Sequence, residues 1–313
     1  MQGLSLSFAS TLASGGIRLA SVLGLASLGE TLSQRSGVLN IGLEGYMTIG
    51  TITAFATSFA TGNPWLGLLA AIAAGATLSL VHAFLSISLG VQQMVSGIGI
   101  IFFAQGIVSL MDARVFELLP VFPVVAMFEP IPLPLLSQIP NVGPVLFNHP
   151  PITFILFGLV PLFWFILYRT KIGLQIRATG EFASGSDTMG INVYRIRYIS
   201  TLLSGAMGGL AGGYLSLGVA QSFQSGMVAG RGYIALATIV LGNWNPARVF
   251  GACVLFGMID ALQYRMQILA MGGIPHEVWL MLPYIVTVGA LMVTRGVRVP
   301  RELTIPYLRE KTE

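Results

Sequence analysis

Long apolar runs alternate with short polar breaks along almost the whole chain. Runs near 12–32, 40–60, 65–89, 94–111, 153–168, 198–219, 229–242, 249–269 and 278–293 carry few charges. As a helix, a run of about 18 or more such residues is long enough to span the ~30 Å hydrocarbon core of a bilayer. The pattern predicts an all-α polytopic bundle of about nine membrane segments. Run 229–242 is the weak one, because its 14 residues rise only about 21 Å. It is read as a crossing, with a re-entrant or broken helix as the alternative. Between 112 and 151 the pattern fails. Nine of the sixteen prolines fall there, and proline removes backbone donors and breaks helices, so an irregular or extended loop is expected.

Composition agrees with the pattern. At 313 residues, 54% hydrophobic and 9% charged, the chain is far from a soluble domain, in which about a quarter of residues are charged. The net charge of +4 does not point to nucleic acid, since the basic residues lie in interhelical loops and the tail. They mark sidedness instead. Segment 169–197 holds Arg169, Lys171, Arg177, Arg195 and Arg197, with Glu181 and Asp187 between them, and a Lys/Arg excess in a short loop places it in the cytoplasm. Loop 112–151 has only Arg114 and is expected outside. These assignments put the N-terminus outside and the tail 294–313 in the cytoplasm, with the whole chain one transmembrane domain. The first cation is Arg18, so the opening apolar run lacks the basic segment of a cleaved leader and is expected to be a span. Cys253 lies in an apolar run and reads as a small core residue.

One internal likeness stands out. SGVLNIGLEGYMTIGT (36–51) resembles SGMVAGRGYIALAT (225–238), and the two strings enter the membrane from opposite sides in this topology. That is the arrangement of an inverted repeat, with the pathway at the repeat interface. Chance likeness of two glycine-rich strings is the alternative.

Enzyme chemistry is not visible. His82, His149 and His276 are far apart and lack metal-ligand spacing, so no metal or cofactor is expected. Neither Lys171 nor Lys311 follows a phosphate-binding loop, and no nucleophile elbow is present. Glu44 lies inside an apolar run, where a charge must be paired or face water. Arg231 holds the equivalent place in the second string, and the two are expected to approach each other along the pathway. Pairing of Glu44 with Arg35, or capping of a half-helix by Glu44, are the alternatives. Asn40, Gln92, Gln93 and Ser96 are further pathway candidates, with Tyr233 beside Arg231. Asp260 and Arg265 read as helix-end polar residues rather than partners, and Glu30 as interfacial. Gly205, Gly208, Gly209, Gly212 and Gly213 form a small-residue packing face. In the basic segment, Thr179-Gly180-Glu181 reads as a turn leading into a short helix over 182–189, ended by Gly190. Such a helix, offering Phe182 and Met189 outward, is a docking peg for a soluble partner or an ordinary solvated loop.

GLQIRATGEFASGSDTMGINVYRIR resembles the cytoplasmic coupling segment of bacterial ABC-importer permeases of the ribose/branched-chain amino acid superfamily. LSQRSGVLNIGLEGYM and GRGYIALATIVLGNWNP are similar to motifs of the simple sugar and nucleoside type, and the likeness covers roughly residues 12–295. The resemblance implies a multi-pass inner-membrane permease subunit, pairing with a second related permease. It further implies an ABC ATPase subunit on the cytoplasmic side and an extracytoplasmic substrate-binding protein, with no chemistry catalysed by the permease itself. It assigns Arg177, Ala178, Thr179, Gly180, Glu181, Ala183, Gly190 and Ile191 to ATPase coupling, with Phe182 standing where relatives carry Asn. In the membrane it matches Ser36, Gly37, Asn40, Gly42, Glu44 and Gly45, then Gly230, Arg231, Gly232, Tyr233 and Ala235. Ile101 replaces an Asn, which bears on the solute. A nucleoside is the first expectation and a simple sugar the next, with a branched-chain amino acid third. An ion-coupled secondary transporter is the rival of another class.

Overall fold

The computed structural model describes residues 2–112, 125–134, 137, 139, 143–269, 276–293 and 296–308, without the side chains of 2–8, 268–269, 276–277, 291 and 293. Arg114, Arg295, Arg309 and Lys311, which carried part of the sidedness reading, lie outside these residues. The helices are α1 (Gln2–Arg35), α2 (Leu43–Thr61), α3 (Pro64–Ala83), α4 (Gln93–Met111), α5 (Gly143–Leu146), α6 (Pro151–Arg169) and α7 (Lys171–Glu181). They continue with α8 (Ala183–Thr188), α9 (Val193–Tyr214), α10 (Arg231–Leu241), α11 (Pro246–Leu269), α12 (His276–Leu280) and α13 (Leu282–Val293). Two π-helical turns, Phe84–Ser88 and Leu215–Ala220, extend α3 and α9.

Among the described residues, six helices are long and apolar enough to cross a membrane: Ala9–Arg35, Pro64–Ser88, Gln93–Met111, Pro151–Arg169, Val193–Ala220 and Pro246–Gln267. Run 278–293 is not one helix. It restarts at Leu282 with Pro283 in the first turn, because proline lacks the N–H and clashes with the preceding turn. The 229–242 run yields an 11-residue helix, only about 16 Å long. Local signals place the other ends. Asn63 accepts from the Trp65 N–H with Pro64 at the first position of α3, Thr170 from Gly173 and Asn192 from Arg195. These are N-caps that satisfy otherwise unpaired amides.

α1 and α9 are the central columns. The α9 glycines bring its backbone against its neighbours. A Cβ on Gly209 would collide with the Ala71 carbonyl of α3, and one on Gly212 with the Met47 carbonyl of α2. The predicted small-residue packing face is therefore used on two sides.

In the proline-rich loop, Ile131 pairs with His149 and Pro132 with Asn148 as a minimal antiparallel ladder. The loop closes one face of the bundle, where the Ser58 hydroxyl donates to the Ala126 carbonyl, the Phe128 N–H to the Leu217 carbonyl, and Trp65 meets Phe128 edge to face at 4.9 Å. The opposite face collects the end of α1, α7, α8, the start of α9 and the end of α10. There the Arg35 guanidinium donates to the carbonyls of Trp244 (3.1 Å) and Asn243 (3.3 Å), and the Trp244 indole to the Gln34 amide oxygen at 2.7 Å.

Candidate functional site

The chain preceding α10 folds back into the bundle, with Ala229 (φ +50°) and Gly230 (φ +81°) both left-handed. This turn delivers the first amides of α10 to Glu44, the second residue of α2. One carboxylate oxygen of Glu44 accepts from the Gly230 N–H at 2.8 Å and the other from the Gly232 N–H at 2.7 Å. Gly232 must be glycine, since a Cβ there would lie 2.7 Å from the Glu44 backbone. Glu44 is itself in the first turn of α2. A single buried anion thus serves two converging helix N-termini, each of which carries a partial positive charge.

Beside it lies a half-open cavity of about 450 Å³, lined by Glu44 and Thr48 of α2, Gln105 and Ser109 of α4, Ser225, and Tyr233 of α10. A volume of this size suits a small ligand, for which pockets run from about 300 Å³ upward. Its polar lining consists of hydroxyls, one amide and one carboxylate, with no cation among the described residues.

Glu44 and Arg231 are neighbours without being partners. Among the described residues no ion pair joins them. The Arg231 guanidinium turns away to Asp260 (3.6 Å), to the Tyr264 hydroxyl (2.6 Å) and to the carbonyls of Met227 (2.9 Å) and Val228 (3.1 Å). The two approach each other as expected, but the ion pair does not form, because Asp260, Tyr264 and two backbone carbonyls hold the guanidinium on its other side. Asp260 is 4% exposed and is this arginine's partner, not a helix-end residue. Arg231 lines a separate cavity of about 570 Å³ with Arg18, Tyr264 and Arg265.

Glu30 is likewise not interfacial. It is fully buried, accepting from Gln34 (3.0 Å), the Asn40 N–H (3.0 Å) and the Ser204 hydroxyl (2.6 Å), and so ties α1 to the 36–42 turn and to α9. Asn40 is buried and accepts from the Tyr46 hydroxyl at 2.9 Å. Gln93 accepts from the Leu39 N–H at 2.7 Å, Ser96 bonds the His82 ring at 3.0 Å, and Gln92 is exposed. Of the seven pathway candidates, Glu44 and Tyr233 line the polar cavity, Asn40 and Gln93 hold the 36–42 turn, and Ser96 bonds His82. Thr48, Gln105, Ser109 and Ser225 were missed. Two pairs carried a usable signal, since Thr48 follows Glu44 and Ser109 follows Gln105 by four residues, one helix face in each case.

In the 169–197 segment, Thr179, Gly180 and Glu181 are the last turn of α7 rather than a free turn. An extended Phe182 (φ −157°) separates α7 from α8, and Gly190 (φ +81°) follows the helix as expected. Arg177 stacks over Tyr168 at 5.2 Å, Ala183 is buried, and Phe182 and Met189 are 62% and 82% exposed.

A bundle with six apolar helices of spanning length, a polar cleft inside it and an amphipathic elbow at one face makes this a multi-pass membrane protein of transporter architecture. Residues 12–291 match the family described as branched-chain amino acid transport system / permease component, and the chain belongs to it. It is 39% identical to the guanosine ABC transporter permease protein NupQ of Bacillus subtilis, over 92% of this chain and 93% of that one. It is 37% identical to the putative glucose ABC transporter permease protein TsgC13 of Haloferax volcanii, over 97% and 99% of the two chains. Identity to the nucleoside ABC transporter permease protein NupC of Lactococcus lactis is 32%, over 91% and 92%. No solved structure matches.

Proposed function

We propose that this chain is the permease subunit of an ATP-driven importer for a small neutral polar solute, a nucleoside in the first instance. The observation that carries the reading is the cavity at the meeting of α2 and α10. Its walls offer hydroxyl, amide and carboxylate groups to a solute rich in O–H and N–H donors, and the carboxylate with no opposing cation disfavours anions. Tyr233, 47% exposed, adds an aromatic face beside them. The full-length likeness to a guanosine and a nucleoside permease supports the nucleoside reading. Likeness to a putative glucose permease favours a simple sugar as the second.

In this reading α2, α10 and α13 join the six long helices as nine membrane segments. The N-terminus is outside, and the face bearing α7, α8 and 296–308 is cytoplasmic. The meeting of the two related strings at Glu44 and Gly232 supports the inverted repeat. Helix α8, with Phe182 and Met189, docks a separate ABC ATPase. A second related permease and an extracytoplasmic binding protein complete the machine, and alternating access moves solute past Glu44.

The test is a mild-detergent pull-down of the tagged chain from its native membrane, with mass spectrometry, followed by uptake of labelled guanosine and glucose into proteoliposomes of the recovered complex. An ATPase and a second permease in the pull-down, with guanosine uptake that requires ATP, are expected. A chain recovered alone, with uptake abolished by an uncoupler while ATP stays high, replaces this reading with ion-coupled transport.

A further inference from the structure

The segment 296–308 lies across the face that bears the α7–α8 elbow, and its contacts are specific. The Glu302 N–H donates to the Gly180 carbonyl at 2.9 Å, in the last turn of α7. The Glu302 side-chain oxygen Oε1 accepts from the Ala183 N–H at 3.3 Å, the first amide of α8. These are groups that a helix end leaves without an intrahelical partner, so one residue of the tail caps both helices across their break at Phe182. The other oxygen of Glu302 faces the buried Arg197 of α9 at 3.9 Å. Arg197 in turn donates to the Ile305 carbonyl at 3.0 Å and lies 6.0 Å from the Tyr307 ring. The Tyr194 hydroxyl donates to the Tyr307 carbonyl at 3.3 Å, with the two rings 5.6 Å apart. Upstream, the Arg298 N–H donates to the Asn243 side chain at 3.0 Å, in the turn that ends α10.

The elbow is held from the other side as well. Gly180 packs so closely on the end of α1 that a Cβ there would collide with the Arg35 carbonyl. The elbow is therefore clamped between α1 and the tail, and the tail ties it by hydrogen bonds and an ion pair to the start of α9 and to the end of α10. A cleft of about 640 Å³ opens between Glu181, Phe182, Arg301 and Glu302, so a partner seated on Phe182 also meets the tail.

We infer that the 296–308 segment is a working part of the coupling device, with Glu302 as the positioning residue that fixes the α7–α8 elbow to α9 and lets displacement of α8 reach α9 and α10. This inference rests on the proposed docking of an ATPase at α8. Glu302 touches neither solute nor nucleotide. It acts by making the elbow and the two pathway-side helices move as one body, which is what a mechanical link between distant sites requires.

The test compares wild type, Glu302→Ala, Glu302→Gln and a chain ending at Val299, each as the complete complex in proteoliposomes. Glu302→Gln retains an acceptor oxygen for the Ala183 N–H. Glu302→Ala and the truncation are expected to bind as much ATPase as wild type, yet to lose solute-stimulated ATP hydrolysis and uptake by about tenfold, while Glu302→Gln keeps most of both. Equal stimulation in Glu302→Ala and wild type overturns the inference. A second readout needs no ATPase: spin labels at the exposed positions 189 and 301 of the permease alone are expected to give a narrow distance distribution that broadens in Glu302→Ala. An unchanged distribution also overturns it. Should wild type bring down no ATPase, the proposed function fails by itself, and the label distances still report whether Glu302 holds the elbow.

Discussion

The carboxylate of Glu44 sits 2.7 Å from the backbone N–H of Gly232, so an acid at the start of α2 closes the N-terminus of α10. The contact is to backbone. Only the absence of a Cβ at Gly232 lets the two chains come this near. Gly232→Ala therefore cannot be accommodated by a side-chain adjustment, and overpacking of this kind costs about 1–3 kcal/mol. A lower thermal midpoint in detergent, together with loss of uptake, is the expected result.

Charge reversal at Glu44 and Arg231 tests the same geometry. Since the two do not pair, the double variant Glu44→Arg with Arg231→Glu is expected to show no recovery over the single reversals. Arg231→Met alone strands Asp260 in a buried site, a loss of about 3–5 kcal/mol. Adding Asp260→Met is expected to restore most of the stability in a thermal melt. Recovery in the first double variant, or none in the second, would contradict these assignments.

Glu30 receives three donors from three segments. Glu30→Ala leaves the Ser204 hydroxyl and the Asn40 N–H buried without an acceptor, at about 1–3 kcal/mol for each. Purified Glu30→Ala should unfold at lower temperature, whereas Glu30→Gln, which keeps an acceptor, should lose less.

At the elbow, Phe182→Ala with Met189→Ala removes two exposed apolar side chains that contribute little to the fold. The expected outcome is normal membrane insertion with reduced ATPase recovery in the pull-down. Full recovery would leave α8 a solvated helix without a docking role.

His149 is the last residue of the short ladder, and burial holds its imidazole below the ordinary value of 6.5, with a hydrogen bond to the Val145 carbonyl acting the other way. The folded loop thus favours the neutral ring. Its contribution is complete above pH 6.5 and is lost as the pH falls below that value, because protonation favours the opened loop. The thermal midpoint of wild type is expected to fall further than that of His149→Gln between neutral and mildly acid pH.

Much of the fold was legible because lipid imposes simple length and polarity rules. The six long spans, the short 229–242 segment, the glycine face of α9 and the end of α8 at Gly190 all followed from run length, proline and glycine. Partners of buried charges did not. Glu44, Glu30 and Asp260 each lie in apolar sequence, and their burial was foreseeable for a charge in a membrane. Apart from Gln34, one helical turn from Glu30, and the nearby Asn40 amide, their partners lie some 30 to 190 positions away, which no local pattern encodes. The tail was read only as a cluster of positive charges, whereas among the described residues an acid, Glu302, makes several of its contacts with the bundle.

The brevity of α10 has a consequence for how such a bundle opens. An 11-residue helix of about 16 Å accounts for roughly half of a ~30 Å apolar layer. The chain before it is the turn 221–230, whose positive-φ residues Gln221 and Ala229 already depart from the favoured backbone regions, and which would plug the rest of that column if α10 crosses. A plug of this kind yields by rotation about a few backbone bonds. In the proposed reading of α10 as a membrane segment, the bundle would uncover its polar interior without unpacking any of its long helices, and the barrier at this column would be as thin as one loop.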